Sequence, residues 1–207
     1  MKNNTIKCIS LLGYLILINT TCISPTFESS AVHKGNQSWV GFAGGYRCFD
    51  HSKPAIFHGY SFESTYGISL GAGFNYGFTD NIGLVSSILF YRMNGYYDGF
   101  EYQTISFLSM WLASKFELTR NTSRDIFSVS IGPAFPEIVK LNIMYGAKGA
   151  KNTIVSFGTH LSFYYPYDFY INIGPAEGSG FVIYLGHQIP YFNNPLNLAV
   201  GIGYRLK

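Results

Sequence analysis

The clearest pattern in the chain runs from Tyr66 to Phe78. Tyr66, Ile68, Leu70, Ala72, Phe74, Tyr76 and Phe78 are apolar or aromatic, and Gly67, Ser69, Gly71, Gly73, Asn75 and Gly77 between them are small or polar. Successive side chains of a strand point to opposite faces, so this run has one greasy face and one nearly bare face. It is longer than the roughly 5–6 residues of an ordinary strand and reaches the roughly 9–11 that cross a bilayer at a tilt. Aromatics stand near both ends of the greasy face with aliphatics mostly between them, as on a lipid-facing strand with a girdle at each interface. A long strand in a soluble sandwich or a lipocalin-like barrel produces the same alternation, so the rest of the chain must decide.

The same rhythm continues from Ser38 to the end. Val40, Phe42 and Tyr46 alternate with small residues, and a loop with Asp50, Pro54 and Gly59 follows. Thr79-Asp80-Asn81 reads as a tight turn into a returning strand, Ile82 to Met93, and Asn94-Gly95 with Asp98-Gly99 as the next loop. Tyr102 to Leu118 is long, and its apolar face changes sides, which predicts a bulge. Phe127 to Ile131 alternates until Pro133 and Pro136 interrupt it; Glu137 to Gly146 is either a further strand or a continuation beyond a kink. Val155–Phe163, Phe169–Ile173, Phe181–Leu185 and Leu198–Leu206 complete the set. The expected fold is all-β: a single closed antiparallel transmembrane β-barrel of eight strands, alternatively ten, since such barrels take even counts.

Composition moves the choice toward the membrane. Charged residues make up only 12% of the 207-residue chain, against about 25% in a typical soluble domain, and aromatics reach 18%. No apolar run beyond the N-terminus is long enough for a spanning helix, which leaves strands to cross. The net charge of +3 is spread out, with no Lys/Arg cluster to bind nucleic acid.

The N-terminus reads as an export signal over residues 1–24. Lys2 and Lys7 precede an apolar core, Cys8 to Ile18, that is too short to span a bilayer. Ser29-Ser30-Ala31 offers a cleavage point as late as 31, and Asn19-Thr20-Thr21-Cys22 faintly resembles a lipoprotein processing site. Residues 25–37 are polar and patternless and read as a periplasmic lead-in to a barrel over 38–207. Cleavage after Cys22 leaves Cys48 alone, which excludes an internal disulfide and argues against a zinc site.

Three segments carry a resemblance: GFNYGFTDNIGLVSSILFY from Gly73 to Tyr91, FSVSIGPAF from Phe127 to Phe135, and the ending Gly201-Ile202-Gly203-Tyr204-Arg205-Leu206-Lys207. Together they resemble a small outer-membrane β-barrel of the opacity-protein type, within the outer-membrane β-barrel domain superfamily. The first is similar to that family's hairpin around a short periplasmic turn, the second to its strand ending in Gly-Pro. The third resembles the strand presented to the barrel assembly machinery, although it ends on Leu206-Lys207 rather than on an aromatic residue. The resemblance implies a monomer in the bacterial outer membrane with the lipid bilayer as its surroundings. It also implies a structural or surface-interaction role, with an extracellular partner met through loops 47–63 and 94–101.

Candidate chemistry is sparse. Arg47, Arg92, Lys115, Glu117, Lys140, His160 and Arg205 are expected inside the barrel or at its rims, where mixed signs pair and fill the lumen. His160 and Ser162 share a strand face, a spacing similar to the His-x-Ser pair of lipid A deacylases, and Glu177 is the candidate carboxylate. Phe163 stands where that family has Asn, and the expectation is no enzyme and no catalytic residue. The Gly-x-Gly repeats fall at strand period, so no phosphate loop and no cofactor is expected. Trp39 and Trp111 are expected to anchor interfaces or fill gaps. A narrow pore or a carrier of small hydrophobic ligands is the remaining alternative.

Overall fold

The computed structural model describes residues 25–48, 62–97, 100–119, 124–135, 138–149, 152–162, 168–188 and 196–207. The expected signal peptide with Cys8 and Cys22, and residues 49–61 of the expected 47–63 loop, lie outside them. Ten antiparallel strands close into one barrel, each paired with its sequence neighbours. They are β1 (Gly35–Cys48), β2 (Phe62–Gly77), β3 (Ile82–Tyr97), β4 (Phe100–Glu117), β5 (Asp125–Phe135), β6 (Ile138–Lys148), β7 (Thr153–Ser162), β8 (Asp168–Pro175), β9 (Gly180–Gln188) and β10 (Leu196–Leu206). The seam is made by β1 against β10, from Ser38 opposite Leu206 to Cys48 opposite Leu196. No strand of the ring is left with an open edge.

The strand count is therefore ten, the alternative, and not eight. Residues 138–148 form a strand of their own because the chain reverses between Phe135 and Ile138, and Ile138 takes a positive φ of 65° at that reversal. The slip expected in Tyr102–Leu118 is not where the apolar face changes sides: the β3–β4 ladder shifts only at the start of that run, between Gly95 opposite Gln103 and Tyr97 opposite Phe100. β4 keeps one register against β3 from Phe116 opposite Ile82 to Gln103 opposite Gly95. Its apolar pattern changes sides for another reason: Leu108, Met110, Leu112 and Phe116 face out, while Trp111 and Ala113 on the other face pack inside against Val85. The expected loop at 94–101 is also mostly strand, since Asn94 and Gly95 pair with Thr104 and Gln103.

The outward face matches the alternation read from the sequence. Ile68, Leu70, Phe74, Tyr76 and Phe78 are all exposed, as are Val40 and Phe42 on β1 and Val200 and Ile202 on β10. A ring of exposed aliphatic and aromatic side chains around a closed barrel is what a bilayer, and not water, stabilises. Phe74 stacks on Tyr76 at 6.4 Å and Tyr76 meets Phe78 edge-on at 5.2 Å, toward the end of β2 that carries the short turn to β3. No helix among the described residues is long and apolar enough to cross a membrane.

The largest departure from the sequence reading is the lead-in. Residues 25–32 are buried inside the barrel, and β1 starts at Gly35, earlier than expected. Phe27, Ser29 and Ser30 are 0% exposed. The physical reason lies on the bare strand face. Eight strands enclose a lumen that wall side chains just fill; ten enclose more, and here many inward positions are glycine or serine. An unfilled interior would forfeit packing contacts, and the N-terminal segment supplies them. A Cβ on Gly41 would lie 2.4 Å from the Phe27 ring, and one on Gly203 2.6 Å from it. The two glycines form the notch in which the ring sits.

Candidate functional site

The plugged lumen is the site the fold builds. The segment from Thr26 to His33 has no regular structure, so its backbone groups need partners from the wall. Inward side chains of three strands supply them in order. On β8, Asn172 Nδ2 donates to the Thr26 carbonyl at 2.8 Å and to that of Glu28 at 3.4 Å. Arg205 of β10 donates from Nη2 to the Phe27 carbonyl at 3.0 Å and from Nη1 to that of Pro175 at 2.7 Å. On β4, Lys115 Nζ donates to the Ser29 carbonyl, and Glu117 Oε2 accepts from the Val32 amide at 2.8 Å.

Side chains of the plug add three further ties. Glu28 lies 3.7 Å from Lys115 Nζ, and its Oε1 accepts from Asn142 Nδ2 at 2.6 Å. Asn142 Oδ1 in turn accepts from Tyr170 OH at 2.8 Å. Ser30 and Ser156 hydroxyls meet at 3.1 Å. Phe27 packs on Trp39 at 5.4 Å and on Tyr184 at 5.8 Å between ring centres. The buried charges are met in different ways: Lys115 by Glu28, Arg205 by two carbonyls, and Lys140 by the face of Trp111 at 5.3 Å. At the mouth, His33 borders a narrow cleft with Gln37, Asn75, Val85 and Lys115. Burial lowers its pKa from 6.5 to about 4, and the charges of Arg205 and Lys115 push the same way.

The expected lumen charges divide. Lys115, Glu117, Lys140, His160 and Arg205 are all inward and buried. Arg92 is instead exposed on the outward face, because it shares the parity of Ile88 and Phe90. Arg47 lies on β1, with its side chain outside the described part. Both tryptophans fill gaps: Trp39 and Trp111 point into the lumen and are buried.

The hydrolase-like trio is not brought together. His160 and Ser162 both lie near the end of β7, with the side chain of Ser162 outside the described part. Glu177, however, sits exposed in the turn after β8, where its amide donates to Asn152 Oδ1 at 2.9 Å and its carbonyl accepts from Asn152 Nδ2 at 2.6 Å. His160 pairs across the sheet with Asp168, at the opposite end of β8. The strand between them places Glu177 roughly 24 Å away along the wall. The ring of His160 stacks on Tyr170 at 4.8 Å and meets Trp111 edge-on at 6.1 Å. Neither of its nitrogens has a hydrogen-bond partner. This is a packed lumen histidine with no base geometry around it.

Sequence reasoning missed Phe27, Glu28, Asn142, Asp168, Tyr170, Asn172 and Tyr184. One signal was available: Asp168, Tyr170 and Asn172 alternate with Phe169, Ile171 and Ile173, so they had to share the inward face. Nothing local marks Phe27 and Glu28, whose hydrogen-bond partners lie 114 to 178 residues away, as with Glu28 to Asn142 and Phe27 to Arg205.

Neither a protein-family model nor a curated protein sequence matches this chain. Several solved structures match this chain. An outer membrane channel from Pseudomonas putida is 10% identical, with a TM-score of 0.51, over 89% of this chain and 99% of that one. The outer membrane protein OprG from Pseudomonas aeruginosa is 13% identical, with a TM-score of 0.40, over 86% of this chain and 99% of that one. At such identities the likeness is one of fold, and the fold is that of a small outer-membrane β-barrel.

Proposed function

We propose that the protein is a monomeric, integral barrel of the bacterial outer membrane, exported by a signal peptide. It works without catalysis, as a structural and surface-interaction element of the envelope. The observation that carries this reading is the continuous apolar outer face of a closed barrel whose interior is already filled by its own chain. The start of β1, the end of β10 and the turn at Thr79–Asn81 lie at one end of the barrel, the end that faces the periplasm in this class. The strand ends at Cys48, Ser162 and Gln188 then lie at the opposite, outward end of the barrel. A closed seam supports the monomer, and β10, which completes it, is the strand offered to the assembly machinery. A lipid A hydrolase finds no support in a His160 whose neighbours are aromatic rings and whose candidate carboxylate is at the other rim.

The test is fractionation of a Gram-negative host expressing the full chain. The mature protein should stay with outer membranes through high salt and urea and migrate faster on gels before boiling than after. Protease added to intact cells should cut within 49–61 or 189–195 and spare the 120–123 turn. Recovery in the soluble fraction without detergent, or cutting at 120–123 in intact cells, rejects the reading.

A further inference from the structure

The lumen wall carries more polarity than the plug uses. Among the described residues, the hydroxyls of Ser128, Ser130 and Tyr184, the indole N–H of Trp111 and both nitrogens of His160 are buried with no hydrogen-bond partner in the protein. A wall built only to pack would be apolar at these positions, since an unpaired buried polar group is costly and a matched apolar replacement is nearly neutral. The same wall suits water.

The segment that keeps water out is attached in a way that lets it leave. Residues 26–33 contribute no strand to the barrel, and β1 begins only at Gly35. A single bridge, Lys34 to Gly77, joins the plug to the ladder. Among the described residues the other ties of the plug to the wall run through side chains, so their loss breaks no rung between strands. On the β2–β3 side a narrow cleft borders residues 31–33 at the mouth.

Withdrawal also changes the charge of the lumen. Among the described buried residues, Lys115, Lys140 and Arg205 are balanced by Glu28, Glu117 and Asp168. Glu28 belongs to the plug and leaves with it. Three cations then face two acids; Lys115 loses Glu28 and the Ser29 carbonyl, and Arg205 loses the Phe27 carbonyl while keeping that of Pro175. Rings of Lys and Arg select anions in narrow pores.

We propose that the barrel is a plug-gated conduit for small anionic solutes, in which residues 26–33 are the gate and Lys115 and Arg205 the cationic constriction that its withdrawal uncovers. This goes beyond the structural role above and rests on the same membrane placement. The gate is tested in the full chain by two variants that leave the strands' pairing intact. F27A/E28A removes the buried ring and the carboxylate. S30C/S156C, in a background without other cysteines, replaces two hydroxyls 3.1 Å apart and can be oxidised to lock the plug in place.

Purified proteins are reconstituted in planar bilayers across a potassium chloride gradient. F27A/E28A is expected to raise open occupancy about 100-fold over wild type, the shift that follows from losing a fully buried aromatic anchor. Its reversal potential should lie toward that of chloride, and adding K115Q should move it back toward zero. The oxidised lock should stay closed, and its reduced form should return to wild-type openings. A F27A/E28A conductance no higher than that of the oxidised lock, or a reversal potential on the potassium side, overturns the proposal. Heat-modifiable migration of the same preparations reads membrane insertion separately, so a failed gate is not mistaken for a failed barrel.

Discussion

Gly73→Ala is the smallest change that tests whether the bare strand face is a packed interior. A Cβ at Gly73 would lie 2.2 Å from Trp39 Cε2 and 2.3 Å from its Nε1, far inside contact distance. Trp39 is 1% exposed and backed by Phe27 at 5.4 Å, so the indole cannot retreat without moving the plug. Overpacking of this kind costs about 1–3 kcal/mol. Gly44→Ala is the matched control: it lies on the outward face of β1, and its nearest neighbour would be the Gly67 carbonyl oxygen at 3.9 Å. Both substitutions stiffen the unfolded chain and gain about 0.5–1 kcal/mol from it, a term that cancels between them. The variants should therefore differ by about 1–3 kcal/mol, with Gly73→Ala the less stable. Urea titration of protein folded into vesicles, followed by tryptophan emission, reads the difference. Adding Phe27→Ala should shrink the cost of Gly73→Ala, because it gives the indole room. Equal midpoints for the two single variants would refute the packed-lumen reasoning.

Four further outcomes are expected. Leu70→Arg puts a charge on a lipid-facing position and should destabilise by about 2–4 kcal/mol near the midplane in the same vesicle assay, whereas detergent-free solubility would contradict the face assignment. His33 has a folded pKa of about 4 against an ordinary 6.5, so folding favours its neutral form. Its contribution to plug docking is full above pH 6.5 and is lost as pH falls from there through 4; protease cutting near residue 33 should rise over that window, and His33→Phe should flatten the rise. N-terminal sequencing of the mature protein should start at or before Pro25, since cleavage at 31 would remove Phe27 and Glu28 from the lumen. His160→Ala with Ser162→Ala should leave lipid A acylation unchanged by mass spectrometry; a wild-type shift abolished by either single change would show a hydrolase.

What the sequence determined by itself was the outside of the barrel. Alternation is a local property: once Tyr66–Phe78 is a strand, Leu70 and Phe74 must share a face and Gly71 and Gly73 the other, whatever their partners. The low share of charged residues then favours lipid as the neighbour of the greasy face. Strand number was undecided because one reversal, between Phe135 and Ile138, is marked only by two prolines that also fit a kink. The inside was decided by tertiary structure. Inward neighbours come from register across strands, which places Asp168 beside His160 and leaves Glu177 at the far rim. The plug is the extreme case. A short polar run with no periodicity has no local reason to be buried. It is buried because ten closed strands with glycines at Gly41 and Gly203 leave a space the size of Phe27, and because Lys115, Asn172 and Arg205 stand ready for its carbonyls. That complementarity exists only once the barrel has closed.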